Sequence, residues 1–191
     1  MKFKVDETES KLSCMNLKAL ATTLPGKEHL AIIELGDAIF PHDQEVHIIK
    51  APFPHVVLVY SKLDPWFIYG LIIANPPASI YRFVPIEKCI QTDLKKVVKA
   101  AVDLLERKLK NKKAFVHISC TCRGVNLSPS NIEREIALTI KNRELAIPVL
   151  RLKDAEYEVK VEILANITGI ALIPKGINNI KKIVKKLSKV F

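Results

Sequence analysis

The chain has 191 residues, of which 49% are hydrophobic and 26% charged, enough apolar material for one sizeable domain or two small ones and too much for general disorder. The longest nearly apolar stretch, WFIYGLIIA at 66–74, is too short to cross a bilayer. The charged opening MKFKVDETESK lacks a signal-peptide pattern, so a cytoplasmic protein without a membrane anchor is expected. Net charge is +10, with nine Lys/Arg against ten Asp/Glu in residues 1–92 and 21 against ten in residues 93–191. An excess confined to the second half favours a polyanion-binding module joined to a neutral one. A lysine-rich thermophilic surface would instead match Lys with Glu in both halves.

Residues 1–17 are polar and non-periodic and are expected to form an arm. LKALATTL (17–24) reads as a strand stopped by Pro25-Gly26. KEHLAIIELGDAIF (27–40) reads as a helix with Leu30, Ile33, Ile39 and Phe40 inward and Lys27, Glu34 and Asp37 outward. VHIIKA (46–51) and HVVLVYS (55–61) are strands around a turn at PFP. Asp64 is a good N-cap with Pro65 at the first helical position, opening a helix to about Asn75. IYRFVPI (80–86) is a further strand. The resulting strand–helix–strand–strand–helix–strand order is ferredoxin-like, and it defines a nearly neutral α+β module over 18–92.

The second module, 93–191, opens with Asp93 as a cap before LKKVVKAAVDLLERKLKNKK. There Leu94, Val97, Val98, Ala101, Leu105 and Leu109 recur at helical spacing, and lysines crowd the C-terminal end. AFVHISCTC (114–122) is a strand, followed by a helix from Ser128 or Ser130 to about Asn142. IPVLRLK (147–153), YEVKVEIL (157–164) and GIALIP (169–174) are three more strands. INNIKKIVKKLSKVF closes the chain as a helix, with Ile177, Ile180, Val184, Leu187 and Val190 in one stripe and lysines on the rest.

HISCTCRGVNLSPSNIEREI (117–136) is the stretch that most invites a chemical reading. Alternation along the strand places Ala114, Val116, Ile118, Cys120 and Cys122 on one apolar face and Phe115, His117, Ser119 and Thr121 on the other. The histidine thus points away from the thiols, and Cys14 and Cys89 are distant in sequence and show no CxxC spacing, which disfavours a zinc site. A disulfide between Cys120 and Cys122 would be strained in an extended strand, so both read as small buried hydrophobes. No nucleophile–base pair, nucleotide loop or metalloprotease motif is readable, so neither catalysis nor a cofactor is expected.

What remains is the strand exit and the helix start. Gly124 permits a tight exit, and Ser130 with Glu133 fits a capping box. A helix start attracts phosphate, with Arg123 and Arg134 placed to make bidentate contacts. The alternative reading is structural: Glu133 caps the helix and Arg134 pairs with surface carboxylates.

These segments resemble a known family. FVHISCTCRG…SPSNIEREIA followed by RLKDAEYEVKVEILANITGIALI is similar to the THUMP domain, an RNA-binding module of tRNA-modifying proteins. Arg123, Gly124, Ser130, Ile132, Glu133, Arg134, Leu152, Tyr157, Val159, Val161 and Glu162 fall in step over about residues 93–175, while Ala155 stands where the family often has proline. TTLPGKEHLAIIELGDAIFP and VVLVYSKLDPWFIYGLI resemble the ferredoxin-like domain that precedes THUMP in short, free-standing archaeal proteins and in the eukaryotic adaptor for tRNA cytidine acetylation. The family's enzymes carry a further catalytic domain for tRNA modification. Since the sequence ends soon after the THUMP strands, the resemblance implies recognition without chemistry: a tRNA-binding adaptor, engaging the acceptor arm and 3′ end, that works with a separate enzyme such as a cytidine N4-acetyltransferase. A protein-interaction scaffold built on the C-terminal stripe, or the non-catalytic half of a split enzyme, is the alternative. The expected RNA contacts are Lys112, Lys113, Arg123, Gly124, Asn126, Ser128, Ser130 and Arg134, extended by Lys175, Lys181, Lys182 and Lys185.

Overall fold

The structure is a computed structural model and describes residues 12–110 and 112–187. Most of the expected N-terminal arm lies outside these residues, as do Lys189 and Val190 and the side chains of Val184, Lys186 and Leu187. The chain folds as two compact units, one of residues 1–86 with 177–191 and one of residues 87–176.

In the first unit, β1 (Leu17–Thr23), β2 (His47–Lys50), β3 (Val56–Tyr60) and β4 (Ile80–Pro85) form a sheet of order β2-β3-β1-β4 with every neighbouring pair antiparallel. Helices α1 (Glu28–Ile39) and α2 (Pro65–Ala74) cover one face, burying Leu35, Ile39, Ile68 and Ile72 against Ala19, Ala21, Val57, Val59 and Phe83. Each leucine, isoleucine, valine or phenylalanine among them contributes about 1.5–3 kcal/mol on full burial. α2 starts as its sequence dictates: the Asp64 carboxylate accepts the N–H groups of Trp66 and Phe67, with Pro65 at the first position.

α1 departs from expectation. Leu30 and Ile33 are each 41% exposed, and the buried face is Glu28, Ala31, Ile32, Leu35, Gly36 and Ile39. In the run LAII every phase offers an apolar residue, so spacing does not choose the rotation. Glu28 does: its Oε1 accepts the His55 N–H at 3.0 Å and lies 3.2 Å from His55 Nδ1, tying the first turn to the β2–β3 connection. Glu34, expected outward, instead receives the N–H groups of Ala78 and Ser79 at 3.2 and 3.1 Å, and the Ser79 hydroxyl.

The second unit contains α3 (Leu94–Leu109), capped by Asp93 through Lys96 N at 2.9 Å, and α4 (Pro129–Asn142). Both pack on one face of a sheet of order β5-β9-β8-β6-β7. Its strands are β5 (Lys88–Gln91), β6 (Phe115–Arg123), β7 (Ile147–Pro148), β8 (Tyr157–Leu164) and β9 (Ile167–Pro174). β6 runs parallel to β7 and β8, whereas β9 is antiparallel to β8 and β5.

Two boundaries differ from the sequence reading. The second unit begins at Glu87 rather than residue 93, because KCIQ pairs with β9 as a strand. The terminal helix α5 (Ile180–Leu187), assigned from sequence to the second module, packs with the first unit. Ile180 is buried in that unit's core, and the Tyr69 hydroxyl donates to the Ile177 carbonyl at 2.9 Å. Ile180 is therefore not available to a partner. The segment 147–153 is also no full strand: β7 covers only Ile147–Pro148, the Val149 N–H makes one further bond to β6, and a 3-10 turn follows at Leu152–Asp154.

Candidate nucleic-acid interface

β6 organises the site. Its even-numbered residues through Cys120 are buried towards α3 and α4, as the alternation requires, with the Cys120 and Cys122 Sγ atoms 3.8 Å apart. Burial is the main cause that pushes the Cys120 thiol well above its ordinary pKa and the Cys122 thiol above its own.

The even positions of β6 also direct their backbone groups towards β7: the carbonyls of Ala114 and Val116 accept from Ile147 and Val149 at 2.9 Å. β7 ends there, and the Cys120 N–H beyond it is satisfied by Glu133 Oε1 at 2.8 Å. The capping box therefore does not form. The strand claims Glu133 because a buried N–H without a partner is costly. Ser128 is the N-cap residue, Pro129 follows at the first position, and the Ser128 and Ser130 hydroxyls lie 2.9 Å apart without bonding the helix backbone as caps. The first-turn N–H groups of α4 thus lack a side-chain cap and suit an anion.

α4 and the β7 segment enclose a groove of about 800 Å³. Of the expected contacts, Lys113, Ser130 and Arg134 line it together. The Arg134 side chain is 66% exposed, and its ion-pair partner among the described residues is Glu135 at 3.8 Å. The structure adds Lys141, His117 and an apolar lip of Leu138, Ile147 and Leu150, the last 96% exposed. His117 Nδ1 lies 3.3 Å from the Val149 carbonyl.

The other expected residues are placed differently. Arg123 Nη1 is held by Glu162 Oε2 at 2.6 Å on the sheet face away from the helices, and its side chain is only 22% exposed. It is therefore an internal ion pair rather than a ready phosphate fork. Gly124 takes φ +71°, the left-handed exit a glycine suits. Gly124, Asn126 and Ser128 are exposed in the connection to α4 but do not line the groove, nor does exposed Lys112. Lys175 Nζ donates to the Lys153 carbonyl at 2.7 Å. Lys181, Lys182 and Lys185 belong to the first unit and so do not extend this patch within one body.

No protein-family model matches the sequence, and no curated protein does. Among solved structures, the chain is similar to PH1313 from Pyrococcus horikoshii, with TM-score 0.65 and 14% identity over 84% of this chain and 56% of that one. It is also similar to TrmN from Thermus thermophilus, with TM-score 0.57 and 14% identity over 82% of this chain and 45% of that one. A third is a 4-thiouridine synthetase in complex with RNA and ATP, with TM-score 0.53 and 14% identity over 83% of this chain and 42% of that one. The chain thus spans between 42% and 56% of these proteins' lengths, and what it shares with them at this identity is the fold.

Proposed function

We propose that the protein binds tRNA through the α4–β7 groove, without itself modifying it, and presents it to a separate modifying enzyme. The second unit is read as a THUMP-like module and the first as its ferredoxin-like companion. The order β2-β3-β1-β4 with antiparallel neighbours supports the second of these assignments. The observation that carries the reading is the gathering of Lys113, Ser130, Arg134 and Lys141 around one apolar-lipped groove. Cations and hydroxyls there suit phosphates, and the apolar lip suits an unstacked base. The fold held in common with a synthetase solved in complex with RNA supports the same reading. A cytidine N4-acetyltransferase is the partner that the sequence resemblance implies, and the cytoplasm the expected location.

The test is fluorescence anisotropy of total tRNA over a range of salt, with intact tRNA and tRNA lacking its single-stranded 3′ end. Affinity is expected to fall log-linearly with salt at roughly 0.7–0.9 per phosphate contact, and to weaken without the 3′ end. Replacing Lys113, Arg134 and Lys141 with Ala is expected to flatten the slope by about two units. Arg123→Ala, which breaks the pair with Glu162, is expected to lower stability and leave the slope unchanged. Absence of tRNA binding at low salt overturns the reading. The adaptor role requires that the protein raise the rate of tRNA acetylation by a purified acetyltransferase, and an unchanged rate removes it.

A further inference from the structure

The first unit is neutral only in chain order. Among the described residues, 12–86 hold five Lys/Arg and six Asp/Glu, but 177–187, which belong to the same unit, bring four lysines and no carboxylate, a net of +3. The attachment is specific. Phe83 N donates to the Asn178 carbonyl at 2.9 Å, and Arg82 pairs with Asn179 in an antiparallel bridge along the free edge of β4. Asn179 Oδ1 then accepts Lys182 N at 3.0 Å and starts α5. Arg82 therefore lies about one strand spacing, roughly 5 Å, from the residue that begins the helix. Lys181 and Lys182 are exposed in that helix's first turn. Beside Arg82, Tyr81 is 41% exposed, with the guanidinium 5.8 Å from its ring centroid.

Nothing in the fold asks for cations there. The first turn of α5 holds no acidic residue, and the helix dipole opposes positive charge at that end. Four of the unit's carboxylates are already committed elsewhere: Glu28 to His55, Glu34 to Ser79, Asp43 to Ser61 and Asp64 to the start of α2. No ion pair to Arg82, Lys181 or Lys182 occurs among the described residues. Uncompensated cations set against a local rule mark a surface built for something outside the chain.

We propose that Tyr81, Arg82, Lys181 and Lys182 form a second RNA-contact surface on the first unit, which takes a single-stranded segment by stacking a base on Tyr81 and binding its phosphates through the cations. An exposed aromatic ring among cations is the arrangement that single strands need. The inference rests on the tRNA-binding reading above and adds a contact outside the groove.

The test compares the full chain with Lys181→Ala/Lys182→Ala, Tyr81→Ala and Tyr81→Phe, each checked for unchanged thermal unfolding. The probes are labelled tRNA over a salt range and vesicles of phosphatidylserine in phosphatidylcholine. The double lysine variant is expected to flatten the log–log salt slope by about 1.4–1.8. Tyr81→Ala is expected to weaken binding at least about fivefold, with Tyr81→Phe near the parent. An unchanged slope in the lysine variant, while the Lys113/Arg134/Lys141 variant still loses affinity, overturns this inference and leaves the groove reading intact. No tRNA binding by the parent overturns both. Vesicle binding that depends on Lys181 and Lys182 while tRNA binding does not would make this a surface for anionic lipid and overturn the inference.

Discussion

Asp43 holds together a connection with no regular structure of its own. Its carboxylate accepts from the Ser61 hydroxyl at 2.5 Å and from the N–H groups of Lys62 and Glu45 at 2.9 and 3.1 Å. Burial pushes its pKa up, but these donors outweigh burial and the net shift is below the ordinary 3.8. The folded state therefore holds the charged form more firmly than the unfolded chain. The contribution is complete above about pH 3.8 and is lost as pH falls through the lower folded value. Asp43→Ala is expected to cost about 1–3 kcal/mol at pH 7 by orphaning buried donors, and to flatten the acid limb of the stability curve. Denaturant melts at pH 7 and below pH 4 check this, and an acid limb as steep as the parent's would refute it. At the same scale, Arg123 shows what the sequence concealed. Its place after the strand was visible, but its pairing with Glu162, 39 positions later, came only from the β6–β8 register.

At the scale of elements, α1 and β6 behave oppositely. β6 alternates cleanly, since a period of two leaves one choice of face once one side is apolar. α1 has apolar residues in several phases, and two polar anchors, Glu28 and Glu34, decide which face meets the sheet. Leu35 is fully buried while Leu30 is 41% exposed. Leu35→Ala is therefore expected to cost about 2–5 kcal/mol, and Leu30→Gln no more than about 0.5 kcal/mol, by shift of the denaturant midpoint. Equal costs would mean that the helix sits in the rotation that spacing alone suggested. α4 illustrates a competition of the same kind: the S-x-x-E pattern was present, but the unpaired Cys120 N–H beside a two-residue edge strand took Glu133 instead. The apolar lip of the groove was likewise hidden, because IPVL reads as strand interior, whereas bonding to β6 ends at the Val149 N–H.

At the scale of the molecule, the two units share the positive charge. Much of the contrast between the halves of the sequence arose because lysines of the first unit, four of them among the described residues, come last in the chain. The first unit also depends on that tail. Ile180 fills its core, and Tyr69, whose pKa burial pushes up to about 12, donates to Ile177. A chain ending at Gly176 is expected to lose amide-exchange protection in α2 and β4 while α3 and β6 keep theirs. Undiminished protection in β4 would show that the tail is dispensable.

The sequence by itself determined the elements whose signals are local. The caps at Asp64 and Asp93, the left-handed exit at Gly124, the alternation of β6 and the periodicity of α3 from Val97 to Leu109, though not at Leu94, which is 41% exposed, all follow from neighbours within a few residues. Ser130 and Arg134 were legible as site candidates for the same reason, at the helix start after the strand, and Lys113 from the lysines that crowd the end of α3. Only the tertiary structure decided which unit receives the tail, which face of α1 is buried, where Arg123 finds its partner and what completes the groove. Those outcomes depend on contacts between residues tens of positions apart, where several local choices are nearly equal in energy and one distant hydrogen bond or buried side chain selects among them.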